Sequence, residues 1–203
     1  MYKHYPAVQQ TFHHNEVWEP LYRMRVLADD CEAALFRSAP VRRLKHLHHF
    51  GAGALFCPVT HSRYEHTVGV WALVRHFFPE HRELRAAAIV HDVGHLPFSH
   101  TAEHVLNVSH HGMTEAAIMS PPISSILTEH ELSPERIVRL LNEDSPLTHR
   151  SELLGLDHLD SFVRDTCAAG RCAAQPWELI GKLKFSGNYL DTKNQSPKSD
   201  VML

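Results

Sequence analysis

The sequence predicts a mainly α-helical protein, and three observations lead there. Apolar residues recur at steps of three and four in several segments. Prolines, glycines and capping residues bracket those segments. No strand pairing and no internal repeat is evident in the 203 residues. A chain of this length suits one domain with a substantial buried core. That domain is assigned to residues 1–185, and residues 186–203, polar and patternless, are expected to form a disordered tail.

Residues 1–15 carry no clear period and read as an irregular lead-in. Ala28 to Arg37 is rich in helix formers, and Pro40 interrupts it before the basic segment Arg42-Arg43-Leu44-Lys45. Gly51, Gly53 and Pro58 mark a loop. From Arg63 to Phe78, Val70, Leu73, Val74 and Phe77 form a helical stripe in line with His66, and Pro79 ends the helix. The next helix is expected from His81 to Gly94, with Leu84, Ala88, His91 and His95 on one face. A short turn over 101–106 and a helix from Met113 to Met119 come next, stopped by Pro121-Pro122. Ser133 caps another helix with Pro134 at its first position. The last helix runs from Ser151 to Cys167; Asp157, Asp160 and Arg164 lie at helical spacing beside an apolar face of Leu156, Leu159 and Val163.

Composition excludes several classes of function. No apolar run approaches the ~20 residues needed to span a bilayer, and residues 1–10 lack a secretory core, so a cytoplasmic address is the default expectation. The net charge of −3 supplies no broad basic field for nucleic acid. The four cysteines are scattered without metal or redox spacing and read as free thiols. Histidine stands out, at nineteen residues. It is the commonest metal ligand and transfers protons near neutrality.

Abundance also weakens any motif built on histidine. Shuffling nineteen histidines and nine aspartates over 203 positions gives roughly one His-Asp pair, so His91-Asp92 proves nothing alone. Four segments have to be taken together: His61 to His66, His91 to His95, Pro97 to His100, and Asp157 to Asp160. Two imidazoles and two carboxylates from His66, His91, Asp92 and Asp157 offer the mixed nitrogen and oxygen ligation that suits Mn, Fe, Co, Ni or Zn, with Mg admissible.

In this order the residues resemble the HD-domain superfamily of phosphohydrolases, and most closely its deoxynucleoside triphosphate triphosphohydrolase, or dGTPase-like, branch. That branch reads His-x-Arg-Phe-Glu-His-Ser-x-Gly-Val, where this chain has His61-Ser-Arg-Tyr-Glu-His66-Thr-Val-Gly-Val70. Its His-Asp-x-Gly-His-x-Pro-Phe-Ser-His is matched by His91 to His100, and its Asp-x-x-Asp-Tyr-x-x-Arg-Asp is similar to Asp157 through Asp165. Arg43 to Gly51 resembles an upstream Gln-Arg-Leu-Arg-x-Ile-x-Gln-Leu-Gly. The resemblance spans about residues 40–170. This chain departs from the branch at Glu103, His110-His111, His49 and Ser161, where the family usually carries Asp, His-Glu, Gln and Tyr.

The resemblance implies an HD-domain helical fold and one divalent ion on His66, His91, Asp92 and Asp157. It implies hydrolysis of a nucleotide phosphate, foremost a (deoxy)nucleoside triphosphate, by metal-aligned water. Proton transfer falls to His100, Glu103 and His110, with His95 positioning water or a phosphate oxygen. Arg63 and Arg164 are the expected phosphate clamps, and Arg43 and His49 further substrate contacts. The expected partners are a nucleotide and further copies of the chain, with no membrane. Two rivals stand beside this reading. One is a two-iron HD oxygenase using His95, His110 and His111, the other a nucleotide-binding regulatory HD module without catalysis.

Overall fold

A computed structural model describes residues 11–98, 100–148, 154–187 and 189–192, with the side chains of Thr11, His100, His104, Val105 and Tyr189 outside the description. The chain opens not on an irregular lead-in but on an antiparallel sheet of β1 (Thr11–His13), β2 (Glu16–Glu19) and β3 (Met24–Leu27), in that order. Val17 pairs with Phe12 on one side and Val26 on the other. Strands of three and four residues hold too few alternating positions to announce themselves in sequence.

Helices make up most of the remaining chain. α1 (Asp30–Arg37) starts at a reciprocal cap, in which Asp29 accepts from the Glu32 amide and Glu32 accepts from the Asp29 amide. Pro40 does not interrupt this region. It sits in the first turn of α2 (Ala39–Arg43), where a missing N–H costs nothing. The Gly51 to Pro58 loop contains a 3-10 turn, Gly51–Leu55.

The central helix is α3 (Arg63–Phe77), begun by a second capping box between Ser62 and Glu65. It is buried around its whole circumference, with Val68, Val70, Trp71, Ala72, Leu73 and Val74 all at 0% exposure. The sequence marks one stripe of it, whereas the fold surrounds it, packing it against α4 (Arg82–Val90) and α9 (Leu156–Ala168). α4 stops at Val90, so His91 to Gly94 form a turn rather than the helical end expected from sequence.

Between them come α5 (His100–Leu106), α6 (His110–Ile118), α7 (Ile123–Glu129) and α8 (Pro134–Asn142). α6 begins three residues ahead of the expected Met113. Pro121-Pro122 stops one helix and also starts another, since Pro122 is the N-cap of α7. Ser133 accepts from the Arg136 amide, as its place before Pro134 predicts. α9 starts later than Ser151, whose neighbourhood, 149–153, lies outside the described residues. Its first amides, Leu156 and Asp157, bond to the Pro146 and Leu147 carbonyls.

Past α9, Gly170 turns the chain at φ 69° and brings Cys167 and Cys172 to a Cα separation of 4.9 Å in a disulfide. The expectation of four free thiols therefore holds for Cys31 and Cys57 only. α10 (Pro176–Gly181) leads to a hairpin of β4 (Leu183–Ser186) and β5 (Tyr189–Thr192). Part of the segment expected to be a disordered tail is thus paired as strand. Apolar contact explains it, because the Phe185 ring packs edge-on against Phe77 and Phe78 at 5.2 and 4.7 Å. Among the described residues no helix is long and apolar enough to cross a membrane.

Gly69 decides how closely α9 approaches α3. A Cβ there would collide with the Asp160 carboxylate and the Arg164 guanidinium. Gly69→Ala should therefore destabilise the fold by about 1–3 kcal/mol through overpacking. Urea unfolding should show a lowered midpoint at unchanged slope.

Candidate metal centre

The N-terminal turn of α3, the turn after α4 and the first turn of α9 converge at one point, and each brings a candidate ligand. His66 Nε2 lies 3.0 Å from Asp157 Oδ1 and 3.2 Å from His91 Nε2. His91 Nε2 is 3.7 Å from both Asp157 Oδ1 and Asp92 Oδ1. The four residues singled out as ligands are therefore brought together, although 91 positions separate the first from the last.

The outer nitrogens of the two rings are occupied. His91 Nδ1 donates to the Ala88 carbonyl at 2.8 Å, and His66 Nδ1 donates to Asp160 Oδ2 at 2.8 Å. With the proton on Nδ1, a neutral imidazole presents a lone pair at Nε2. Two such lone pairs converge here beside a carboxylate oxygen, an arrangement that repels itself unless a positive charge sits among them. The same carboxylates draw a proton onto His66. Burial disfavours its imidazolium, but Asp157 and Asp160 more than offset that and raise the ring to about 10. A divalent cation competes for the same position, so the donor set fits one.

The charges around the point are carboxylate-rich. Burial works against ionisation of Asp92, yet the Arg63 guanidinium, His91 and His95 hold its carboxyl well below the usual range. Asp157 is likewise opposed by burial and brought down to about 2 by its bond to His66 and by His91. Asp160, fully buried, accepts from Tyr22 Oη, His66 Nδ1, and Arg164 Nε and Nη2, at 2.7 to 2.9 Å. The sequence motifs single out neither Asp160 nor Tyr22 nor Glu19 as a site residue. The i, i+4 spacing of Asp160 and Arg164 is the available signal for that pair.

The arginines depart from expectation. Arg164 does not line the cavity; it forks onto Asp160 and reaches Glu19 at 3.3 Å, 8% exposed. Arg43 is likewise absent from the cavity wall. Its guanidinium donates to the Val93 and His95 carbonyls at 2.8 and 2.6 Å and fastens the turn that carries His95. Neither is placed as a phosphate contact, because the buried Arg164 and the half-buried Arg43 each commit their guanidinium donors to acceptors within the protein. Arg63 does line the cavity, but it holds Asp92 Oδ2 at 2.7 Å and the His49 carbonyl at 3.2 Å.

That cavity, about 880 Å³, opens over the cluster. His49, His95, His110 and His111 line it with Arg63, His66 and Asp157. His95 Nε2 stands 3.2 Å from Asp92 Oδ1, and its ring stacks on His110 at 4.0 Å. Burial lowers the His95 pKa despite Asp92. Glu103 Oε2 accepts from His110 Nδ1 at 2.7 Å and from the His110 amide at 3.1 Å. Glu103 is thereby a partner of His110, and the side chain of His100, the other residue expected to share in proton transfer, lies outside the described residues. Burial pushes His49 down to about 2 and His61 to about 4, so both rings are neutral near pH 7.

Comparison with known proteins agrees with this architecture. Residues 63–164, half of the chain, match the HD domain, and the chain belongs to that family. It is 34% identical over 139 residues to the uncharacterized protein YdhJ of Bacillus subtilis, covering 64% of this chain and 42% of that one. It is 28% identical over 172 residues to the metal-dependent phosphohydrolase cns2 of Cordyceps militaris, covering 80% and 48%. The crystal structure of a phosphohydrolase from Bacteroides thetaiotaomicron superposes with a TM-score of 0.65 at 20% identity, over 87% of this chain and 48% of that one, a likeness of fold. The chain thus spans less than half the length of these relatives.

If Asp160 orients His66, Asp160→Asn should weaken binding of Mn or Co by about 10–100-fold. Equilibrium dialysis reads this directly; unchanged affinity would show that His66 is held without it.

Proposed function

We propose that this protein is a metal-dependent phosphohydrolase acting on a nucleotide phosphate, foremost a (deoxy)nucleoside triphosphate. The observation that carries the reading is the convergence of His66 Nε2, His91 Nε2 and the Asp157 carboxylate, with Asp92 beside them, on the floor of an open cavity. That the Cordyceps relative is a metal-dependent phosphohydrolase supports the same class of reaction. A divalent ion bound there neutralises phosphate charge and makes water a better nucleophile at neutral pH.

The protein's own groups then have separate tasks. Asp160 and the Ala88 carbonyl keep the proton of each ligand imidazole on Nδ1, and Arg63 fixes Asp92. Arg43 tethers the turn that presents His95 to the cavity. Water oxygen attacks phosphorus and gives up its proton to the product phosphate or bulk water, the bond from phosphorus to the leaving oxygen breaks, and that leaving oxygen needs a proton. His110 supplies it, with Glu103 holding the ring in place through Nδ1. Phe50 and Phe98, exposed at the rim of the cavity, offer faces for a nucleobase. The volume of about 880 Å³ accommodates a mononucleotide.

One observation favours the oxygenase rival: ligand atoms of His95, Glu103 and His110 lie within 4.8 Å of one another. Oxygen consumption by iron-loaded protein would support it over hydrolysis.

Incubation with a panel of nucleotides and Mn, Co or Mg, assayed for phosphate and triphosphate release, is expected to show turnover. His91→Ala should abolish it. His110→Gln should lower kcat by about 10²–10⁴-fold while moving KM far less. Absence of turnover under every metal would end this reading.

A further inference from the structure

We propose that His49, His61 and Asp165 form a second site for a divalent transition-metal ion, beside the first. One ligand atom from each of the three residues lies within 4.8 Å of the others. His61 Nε2 is 3.4 Å from Asp165 Oδ1 without the alignment of a hydrogen bond, and the His61 side chain is 8% exposed. The His49 and His61 rings stack at 5.0 Å with 24° between their planes.

What separates this cluster from ordinary packed histidines is its unmet bonding. His49 Nδ1, both ring nitrogens of His61, and Asp165 Oδ1 are buried with no hydrogen-bond partner among the described residues. The two histidines of the first cluster differ, since His66 and His91 each donate from Nδ1. Buried nitrogens and a carboxylate oxygen without partners are rare in native structures and call for an explanation such as an ion.

The scaffold suits a binding site. The His49 amide donates to the His61 carbonyl at 2.9 Å, and the Arg63 amide to the Leu47 carbonyl at 2.8 Å, so the two histidines are held as adjacent backbones. Asp165 comes from α9, the helix that already carries Asp157. His49 and Asp165 line the same cavity as the first cluster, which supplies a path of entry. Two imidazoles and one carboxylate favour Zn, Co, Fe or Mn over Ca, and three protein ligands leave a position open toward the cavity. The charge is also favourable. Four carboxylates (Asp92, Asp157, Asp160, Asp165) face two guanidiniums, those of Arg63 and Arg164. The His49 ring lies 4.3 Å from that of His66, between the two ligand sets.

The site stands independently of the hydrolytic reading, and a count of bound ions tests it without assaying activity. Chelator-stripped protein is loaded with Co, desalted and measured by mass spectrometry for cobalt per chain, with circular dichroism verifying the fold of each variant. The wild type is expected to hold two ions, and His61→Phe, which keeps a stacking ring, one. If His61→Phe fails to fold, Asp165→Asn replaces it with the same expectation. His91→Ala should lose the other ion and keep this one. Equal cobalt in the wild type and the folded His61 or Asp165 variant overturns the second site, whether that number is one or two. Loss in the His61 variant but not in the His91 variant would keep the second site and remove the first.

Discussion

Asp160 is the residue on which the rest of the structure depends. Its carboxylate is wholly inaccessible to water, a position that burial alone makes costly for a charge. Four donors from three elements compensate: Tyr22 after the N-terminal strand β2, His66 on α3, and Arg164 one turn along α9. The carboxyl consequently stays far below its usual range, despite burial, and Arg164 is held charged by Asp160 and Glu19. Removing one partner of such a buried pair strands the other, at about 3–5 kcal/mol. One anion therefore joins the N-terminal sheet, the central helix and the helix carrying Asp157. It also orients the imidazole of His66, the first candidate ligand. Gly69 belongs to this arrangement because only its missing side chain lets Asp160 and Arg164 come against α3.

This dependence explains which parts of the molecule are legible in the sequence. α3 and α8 announce themselves through caps and periodicity, because Ser62 with Glu65 and Ser133 with Pro134 are local signals whose physics needs no tertiary partner. The candidate ligands are legible as an ordered set of histidines and aspartates. The sheet of β1 to β3 is not, being too short for alternation to register, and its value lies in Glu19 and Tyr22 meeting residues more than a hundred positions away. The closing hairpin is hidden for a similar reason: its few apolar residues are stabilised by Phe77 and Phe78, at the far end of α3. Pro40 and Pro122 show the ambiguity of a breaker. A proline that cannot continue one helix is well placed to begin the next.

The arginines teach the complementary lesson. A motif states which residue type occupies a position but not where a long side chain points. Guanidinium chemistry suits phosphate, and on that ground Arg63, Arg164 and Arg43 read as substrate contacts. In the fold each is engaged by the protein: Arg63 by Asp92, Arg164 by Asp160 and Glu19, Arg43 by the carbonyls of the turn after α4. Nearly all of these acceptors are a candidate ligand, the partner of one, or the backbone beside one. The cations thus stiffen the site rather than decorate its mouth, consistent with preorganised donors that need no rearrangement when a charged substrate arrives.

A site stiffened in this way leaves the cavity wall to supply selectivity. The floor is made of side chains locked by partners, while Phe50 and Phe98 at the rim are exposed. His49 lies between the two zones. Its carbonyl is held by Arg63, its ring rests on His61 and His66, and its Nδ1 has no partner among the described residues. A ring so placed sees whatever occupies the space beside the first cluster. The family resemblance carries an amide, Gln, at this position; an imidazole offers a single strong lone pair in place of an amide's oxygen and NH₂ group. Exchanging the one for the other shifts the local chemistry from hydrogen bonding of hydroxyls toward coordination of cations, a shift in which His61, just before α3, and Asp165, on α9, can share.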